Sequence, residues 1–192
     1  MTIRPYAPAD WTRLCEIHDA ARRDELAASG LLAAYLTLEQ TAHREGLFDG
    51  EVYVYEREGR VLGFAAVNDS ELTWLYVDPA QYRQGIGRAL LRRAVEARAG
   101  RLSTEVLVGN EGALALYRSE GFRVIARVDG KLAGNEGYPA SGYVLQHLHI
   151  GPVASAQHES LVDLLLELHA HYTQPPTATR EQVRAHLLQN LL

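Results

Sequence analysis

The sequence predicts a mixed α/β domain. Helix-spaced apolar residues alternate with short β-rich runs, one run is almost uninterruptedly apolar, and a glycine-bearing loop carries it straight into an amphipathic helix.

Ile3-Arg4 reads as a short strand closed by Pro5 and Pro8. Asp10 opens a helical pattern with Trp11, Leu14, Cys15, Ile17 and Ala21 toward one side, and Gly30 breaks it. Leu32 to Arg44 reads as a second helix. Glu51 to Glu56 and Val61 to Val67 form a hairpin across Arg57-Glu58-Gly59-Arg60. Leu72 to Val77, apolar but for Thr73, has the character of a central strand. Gly85 to Arg98 is an amphipathic helix stopped by Gly100. Leu102 to Val108 is a strand, Asn110 to Glu120 a short helix ended by Gly121, and Phe122 to Val128 and Gly142 to His149 are two further strands. Asp129 to Ser141 reads as a glycine-rich loop between them.

Apolar residues make up 47% and charged residues 22% of the 192-residue chain, a soluble globular mixture with room for one full domain and a little more. The net charge of -5, with its arginines scattered, argues against nucleic acid and favours a cationic partner. Cys15 is the only cysteine, so neither an intrachain disulfide nor a thiolate metal cluster is expected. No stretch approaches a membrane span and the start lacks a signal-peptide pattern; the cytoplasm is the expected compartment, with no membrane partner.

The chemistry is concentrated in Tyr76-Val77-Asp78-Pro79-Ala80-Gln81-Tyr82-Arg83-Gln84-Gly85-Ile86-Gly87-Arg88. A buried strand enters a loop, and the loop enters a helix whose N-terminal N–H groups and partial positive charge suit a pyrophosphate. Gly85 and Gly87 keep Cβ atoms away from such a ligand, and Arg83 and Arg88 add charge. The Rossmann fingerprint fits poorly, because Leu90 stands where it needs a small residue; a Walker loop is absent. A plain glycine turn at a strand–helix junction is the competing reading.

A second segment, Asn110-Glu111-Gly112-Ala113-Leu114-Ala115-Leu116-Tyr117-Arg118-Ser119-Glu120-Gly121-Phe122, follows the next strand. With it, residues 1 to about 149 resemble the GNAT superfamily of N-acetyltransferases. That family carries a Gln/Arg-x-x-Gly-x-Gly/Ala loop and then Asn-x-x-Ala-x-x-x-Tyr-x-x-x-Gly-Phe. The stretches Arg83 to Leu91 and Glu105 to Phe122 resemble most the enzymes acting on ribosomal-protein N-termini. One departure is Tyr82, which stands at the Gln/Arg position with Arg83 and Gln84 beside it.

The resemblance implies a GNAT fold and acetyl transfer from acetyl-CoA to a primary amine, small molecule or peptide, by direct attack and without a metal. It implies that Leu75, Tyr76 and Val77 line the pantetheine arm, that Arg83, Gln84, Gly85, Ile86, Gly87 and Arg88 hold the pyrophosphate, and that Tyr117 protonates the leaving thiolate while touching cofactor. Asn110 fits both a cofactor ligand and a plain helix N-cap. Two glutamates compete for the general base: Glu105, on the strand after the pyrophosphate helix, and Glu71, at the head of the strand before the loop. Both also fit solvated surface carboxylates. His18 and His43 are weaker candidates. The alternative is a non-catalytic acyl-CoA-binding or sensor domain with a partner-docking tail.

Residues 150–192 form a second part. Ile150-Gly151-Pro152-Val153-Ala154-Ser155-Ala156 repeats the spacing of Ile3-Arg4-Pro5-Tyr6-Ala7-Pro8-Ala9, and a second helix, Arg180 to Leu192, follows. The segment reads as a remnant of a second domain of the same kind. Its apolar rows, Leu161, Val162, Leu164, Leu165, Leu166 and Leu168, then Val183, Leu187, Leu188 and Leu191, predict a homodimer.

Overall fold

The computed structural model describes residues 1–147, 158–172 and 179–190. In chain order the elements are β1 (Thr2–Pro5), α1 (Trp11–Ala28), α2 (Leu38–Thr41), β2 (Glu51–Arg57), β3 (Arg60–Val67), β4 (Leu72–Val77), α3 (Ile86–Ala97), β5 (Ser103–Leu107), α4 (Glu111–Ser119), β6 (Phe122–Lys131), β7 (Pro139–His147), α5 (His158–Tyr172) and α6 (Arg180–Asn190). The chain divides into two compact units, Met1–His149 and Ile150–Leu192.

Two antiparallel sheets build the first unit, one in the order β1-β2-β3-β4 and the other β5-β7-β6. β3 is apolar almost throughout because it is covered on both faces. Val61, Phe64 and Ala66 join Leu14 and Ile17 of α1, while Leu62, Ala65 and Val67 join Ile86, Leu90, Leu91 and Ala94 of α3. Each fully buried Leu or Ile contributes about 1.5–3 kcal/mol, so these two layers fix α1 and α3 on opposite faces of the first sheet.

β4 changes parity part-way. Ala66 pairs with Trp74 and Val67 with Leu72, which leaves Thr73 as the extra residue of a β-bulge. Leu72 consequently packs in the α3 layer and Trp74 in the α1 layer, although two residues apart would ordinarily share a face. From the bulge onward β4 also leaves its other neighbour. The two sheets touch at a parallel bridge, Glu71 to Ser103, with the Ser103 N–H bonded to the Ser70 carbonyl at 2.9 Å. Among the described residues no backbone hydrogen bond joins β4 to β5 beyond that point.

Two expectations need correction. Leu32 to Arg44 is not one helix: a 3-10 turn at Leu32–Ala34 gives way to extended backbone at Tyr35, and α2 is a single turn. The physical reason is a fresh helix start at Thr37, whose N–H is bonded by the Gln40 side chain at 2.9 Å. Asp129 to Ser141 is mostly strand, with Lys131 pairing Pro139. β6 is exposed along most of its length, so no apolar alternation marks it in sequence. Residues 132–138 remain as the connection, tied down by Tyr138 Oη to the Ala33 carbonyl and Asn135 Nδ2 to the Ala34 carbonyl, both 3.0 Å.

In the second unit α5 packs with α6, and Arg180 pairs with Asp163. Val162 is buried, Leu161, Leu165, Leu166 and Val183 are half-buried, and Leu164 is 59% exposed. The expected repeat at 150–156, residues 148 and 149 of the last expected strand, Leu191, and the side chains of Leu168, Leu187 and Leu188 lie outside the described residues.

Candidate active site

The loop from β4 to α3 is anchored before it turns. Asp78 gives its N–H to the Leu62 carbonyl at 2.9 Å, its carboxylate accepts the Ala80 N–H at 3.0 Å, and Arg13 of α1 pairs with it. Two left-handed residues follow, Arg83 at φ +65° and Gly85 at φ +81°, and they turn the backbone into α3, which begins without a side-chain cap. Among the described residues the backbone N–H groups of residues 83–88 make no hydrogen bond; the first to find a partner is Ala89, bonded to the Gly85 carbonyl. Six consecutive free donors at a helix N-terminus fit an anionic phosphate group.

The two glycines serve different ends. Gly85 has open space where a Cβ would be and is needed for its left-handed backbone. Gly87 sits in ordinary helix, where a Cβ would lie 3.3 Å from Leu116 of α4 and 3.6 Å from Val77. It lets α3 approach the end of β4. The loop's side chains are partly engaged elsewhere: Arg88 Nε pairs with Glu120 at 2.8 Å and the Gln84 amide oxygen accepts from Arg57 at 3.0 Å, while Arg83 is exposed. Asn110 caps α4, accepting the Ala113 N–H at 3.2 Å.

Beside the gap between β4 and β5 stands Tyr117, 5% exposed, its ring edge-on to Phe122 and its hydroxyl alongside Thr104. Burial pushes the phenol well above its ordinary range, with the Thr104 hydroxyl opposing, so it holds its proton throughout neutral pH. Leu75 and Val77 pack toward α3. Tyr76 turns the other way, to α1, where its hydroxyl donates to Glu25 at 2.8 Å and accepts from Arg22 at 3.3 Å. Glu71 is half-buried at the closed end of the gap; burial raises its pKa, and the charge of Glu105 raises it further. Glu105 is exposed on β5 opposite Val144. Its face of the strand is that of Leu107, which packs beside Leu26, Ala34 and Leu132.

On that same side a small pocket of about 10 Å³ lies among α1, α2, β4 and the β6–β7 connection, lined by His18, Arg22, Glu45, Trp74, Leu132 and Asn135, among others. His18, 2% exposed, lies edge-on to Tyr76 at 4.9 Å, and its Nδ1 meets the Asp19 carboxylate at 2.9 Å. Burial lowers its pKa against the opposing pull of Asp19. His43 stands apart, beside Phe48 with ring centroids 6.0 Å apart.

Residues 48–124 match the family described as the acetyltransferase (GNAT) domain. Similar curated proteins are the peptidyl-lysine N-acetyltransferase YiaC of Escherichia coli (strain K12), 32% identical over 80 residues covering 41% of this chain and 54% of that protein, and the N-alpha-acetyltransferase RimI of Mycobacterium tuberculosis, 42% identical over 81 residues covering 37% and 51%. The chain thus spans about half the length of the curated relatives it matches. The crystal structure of a ribosomal-protein-alanine N-acetyltransferase from Brucella melitensis superposes with a TM-score of 0.61 at 26% identity, over 78% of this chain and 100% of that one.

Within the first unit the sequence-derived residues fall into two groups. Glu71 and Glu105 interact by charge, Tyr117 lies beside Thr104, and the amides of residues 83–88 stand unbonded at the start of α3. The side chains of Gln84, Arg88 and Asn110 are held in intramolecular bonds, and that of Tyr76 belongs to the α1 network. Sequence reasoning missed Thr104, Arg22 and Glu45. None carried a local signal: a threonine in a strand and charged residues in helical stretches match the ordinary pattern of exposed faces.

Proposed function

We propose that residues 1–149 transfer an acetyl group from acetyl-CoA to a primary amine by direct attack. The observation that carries this reading is the row of free amides at residues 83–88 opening onto a gap between strands that Tyr117 flanks. Acetyl-CoA, when bound, supplies an activated thioester; the amides would hold its pyrophosphate, and the backbone of Leu75 to Val77 would face its pantetheine arm. Tyr117 keeps a proton available for a departing thiolate. The acceptor approaches from the Glu105 side and must lose a proton to become nucleophilic; Glu105 takes it, directly or through water, with Glu71 the second candidate. Names of the relatives support an amine acceptor, a lysine side chain for YiaC and an α-amine for RimI.

A purely acyl-CoA-binding domain would need the amides but not a buried, proton-holding tyrosine at the gap, which favours the enzyme. The deciding experiment measures thiol release from acetyl-CoA against a panel of amines, with wild type and Tyr117→Phe. The mutant should lose about 10²–10⁴-fold in kcat with cofactor affinity nearly unchanged. Absence of turnover in wild type with every amine, despite acetyl-CoA binding, would leave the sensor reading standing.

For the second unit we propose self-association. Leu164, exposed on α5 among half-buried leucines, supports a homodimer, and light scattering that returned a monomer at every concentration would overturn it. A cytoplasmic setting accords with acetyl-CoA as donor.

A further inference from the structure

β6 is a free edge of the second sheet, whose order is β5-β7-β6, and from Ile125 to Lys131 every residue of it is exposed. Ile125 is the extra residue of a bulge, since Val124 pairs with Leu145 and Ala126 with Val144. The direction of the backbone groups beyond the bulge follows from the neighbouring strand. Ser141 accepts the Val108 N–H at 2.9 Å, so its peptide groups face β5 and not β6. Asp129, opposite Ser141, therefore turns its own N–H and carbonyl away from β7, and Arg127 and Lys131 do the same by alternation. Among the described residues no backbone hydrogen bond from outside the sheet reaches these groups. Arg127 lies opposite Tyr143 and Asp129 opposite Ser141 on one face, with Val128 opposite Gly142 on the other. Val128 is 42% exposed. Within the chain Arg127 and Asp129 meet only at 3.8 Å, and both stand largely in solvent.

We propose that β6 pairs antiparallel with β6 of a second copy of this chain, about a two-fold axis at Val128, so that two sheets become one. In that register Arg127 stands opposite Asp129 of the second copy, and Asp129 opposite its Arg127. Both residues point their N–H and carbonyl outward, so each pair exchanges both backbone hydrogen bonds. Each pair also sets opposite charges directly across the strands, a gain of about 0.2–1 kcal/mol. Between them the two Val128 side chains meet in a non-hydrogen-bonded pair, where cross-strand side chains come nearest, and cover apolar surface that one chain leaves in water. Charge selects this register. An axis at Arg127 would oppose two arginines, and one at Asp129 would oppose two aspartates and set Arg127 against Lys131. An axis at Gly130 would match Asp129 with Lys131 but run off the end of the strand and leave Val128 uncovered. The occupant is a second copy because Arg127-Val128-Asp129, read antiparallel, is its own complement. The interface lies within the first unit and depends neither on the acetyltransferase reading nor on the self-association proposed for α5.

The test is sedimentation velocity on the full chain over a concentration series, for wild type, Arg127→Asp and Asp129→Arg, with melting temperatures to show that each variant is folded. Wild type should dimerise. Either variant alone opposes like charges at both pairs and should weaken association by about 10-fold. An equimolar mixture of the two variants restores opposite charges at both pairs and should recover the wild-type affinity as a heterodimer. A monomeric wild type, or association unchanged in both variants, would overturn the inference, the latter leaving α5 as the contact. A mixture that associates no better than its components would overturn the register. Val128→Cys gives a readout independent of charge. Cα atoms in a non-hydrogen-bonded pair lie about 4.5 Å apart, within the reach of a disulfide. Mild oxidation should therefore link two copies of this variant and not two copies of wild type, whose only thiol is Cys15. A variant that stays unlinked would contradict the pairing at Val128.

Discussion

The Thr104 hydroxyl donates to the Leu72 carbonyl at 2.9 Å, and this buried bond is the last tie between β5 and β4 before the strands separate. It closes one end of the gap and stands next to Tyr117. Thr104→Val keeps the shape but leaves the carbonyl without a donor, a loss of about 1–3 kcal/mol. Thr104→Ser keeps the bond. Urea unfolding should therefore show a lower midpoint for the valine variant than for the serine variant. The reverse order would mean that the methyl group, and not the hydroxyl, holds the junction.

Gly85 and Gly87 should respond differently to alanine. At Gly85 a Cβ has room, but the left-handed backbone costs about 1–2 kcal/mol for an L residue. At Gly87 the backbone is helical, where alanine gains up to about 1 kcal/mol, offset by the 3.3 Å contact with the movable end of Leu116. Gly85→Ala should lower the melting temperature by several degrees and weaken the thermal shift produced by acetyl-CoA. Gly87→Ala should change stability little. Gly87→Glu, which adds length and negative charge at the amides, should abolish the ligand-induced shift while the protein remains folded.

Glu71 sets a pH signature. Its pKa in the folded state is raised, by burial first and the charge of Glu105 second, above the ordinary value of 4.5. A raised carboxyl contributes stability that is present below that ordinary value and is lost as pH rises through the folded value. Melting temperatures of wild type and Glu71→Gln should thus converge in acid and separate at neutral pH, with the glutamine variant higher. Glu105→Gln should recover part of that difference by removing one of the two causes. Parallel curves across the whole range would contradict the coupling. In catalysis the roles should divide otherwise: Glu105→Gln flattens the rise of kcat/KM with pH, and Glu71→Gln leaves it.

Much of this architecture was legible in the sequence because the residues that build it are local. The apolar run at Leu72–Val77, the Asn110 cap and the helix spacing after Gly85 each state their element within a few positions. Where the sequence reading failed, the deciding force was either a competing local signal or absent burial. Thr37 and Gln40 restart a helix that apolar spacing alone would extend, and β6 runs on past Val128 held by its pairing with β7 rather than by an apolar face. Glu45 was illegible for a third reason. Its side chain lies against Gly134, some ninety positions along the chain, and only folding brings the two together.

The bulge at Thr73 also has a consequence for how such a site can diversify. Because it resets the strand's parity, Trp74 and Tyr76 turn toward α1 and the cleft side, while Leu75 and Val77, their immediate neighbours, turn toward α3 and the amide row. Substitutions at alternate positions of one short strand therefore act on different layers. Under the proposed acetyl transfer, positions 74 and 76 could change on the α1 side without altering the wall that faces α3. A one-residue deletion in that strand would exchange the two sets of walls at a stroke.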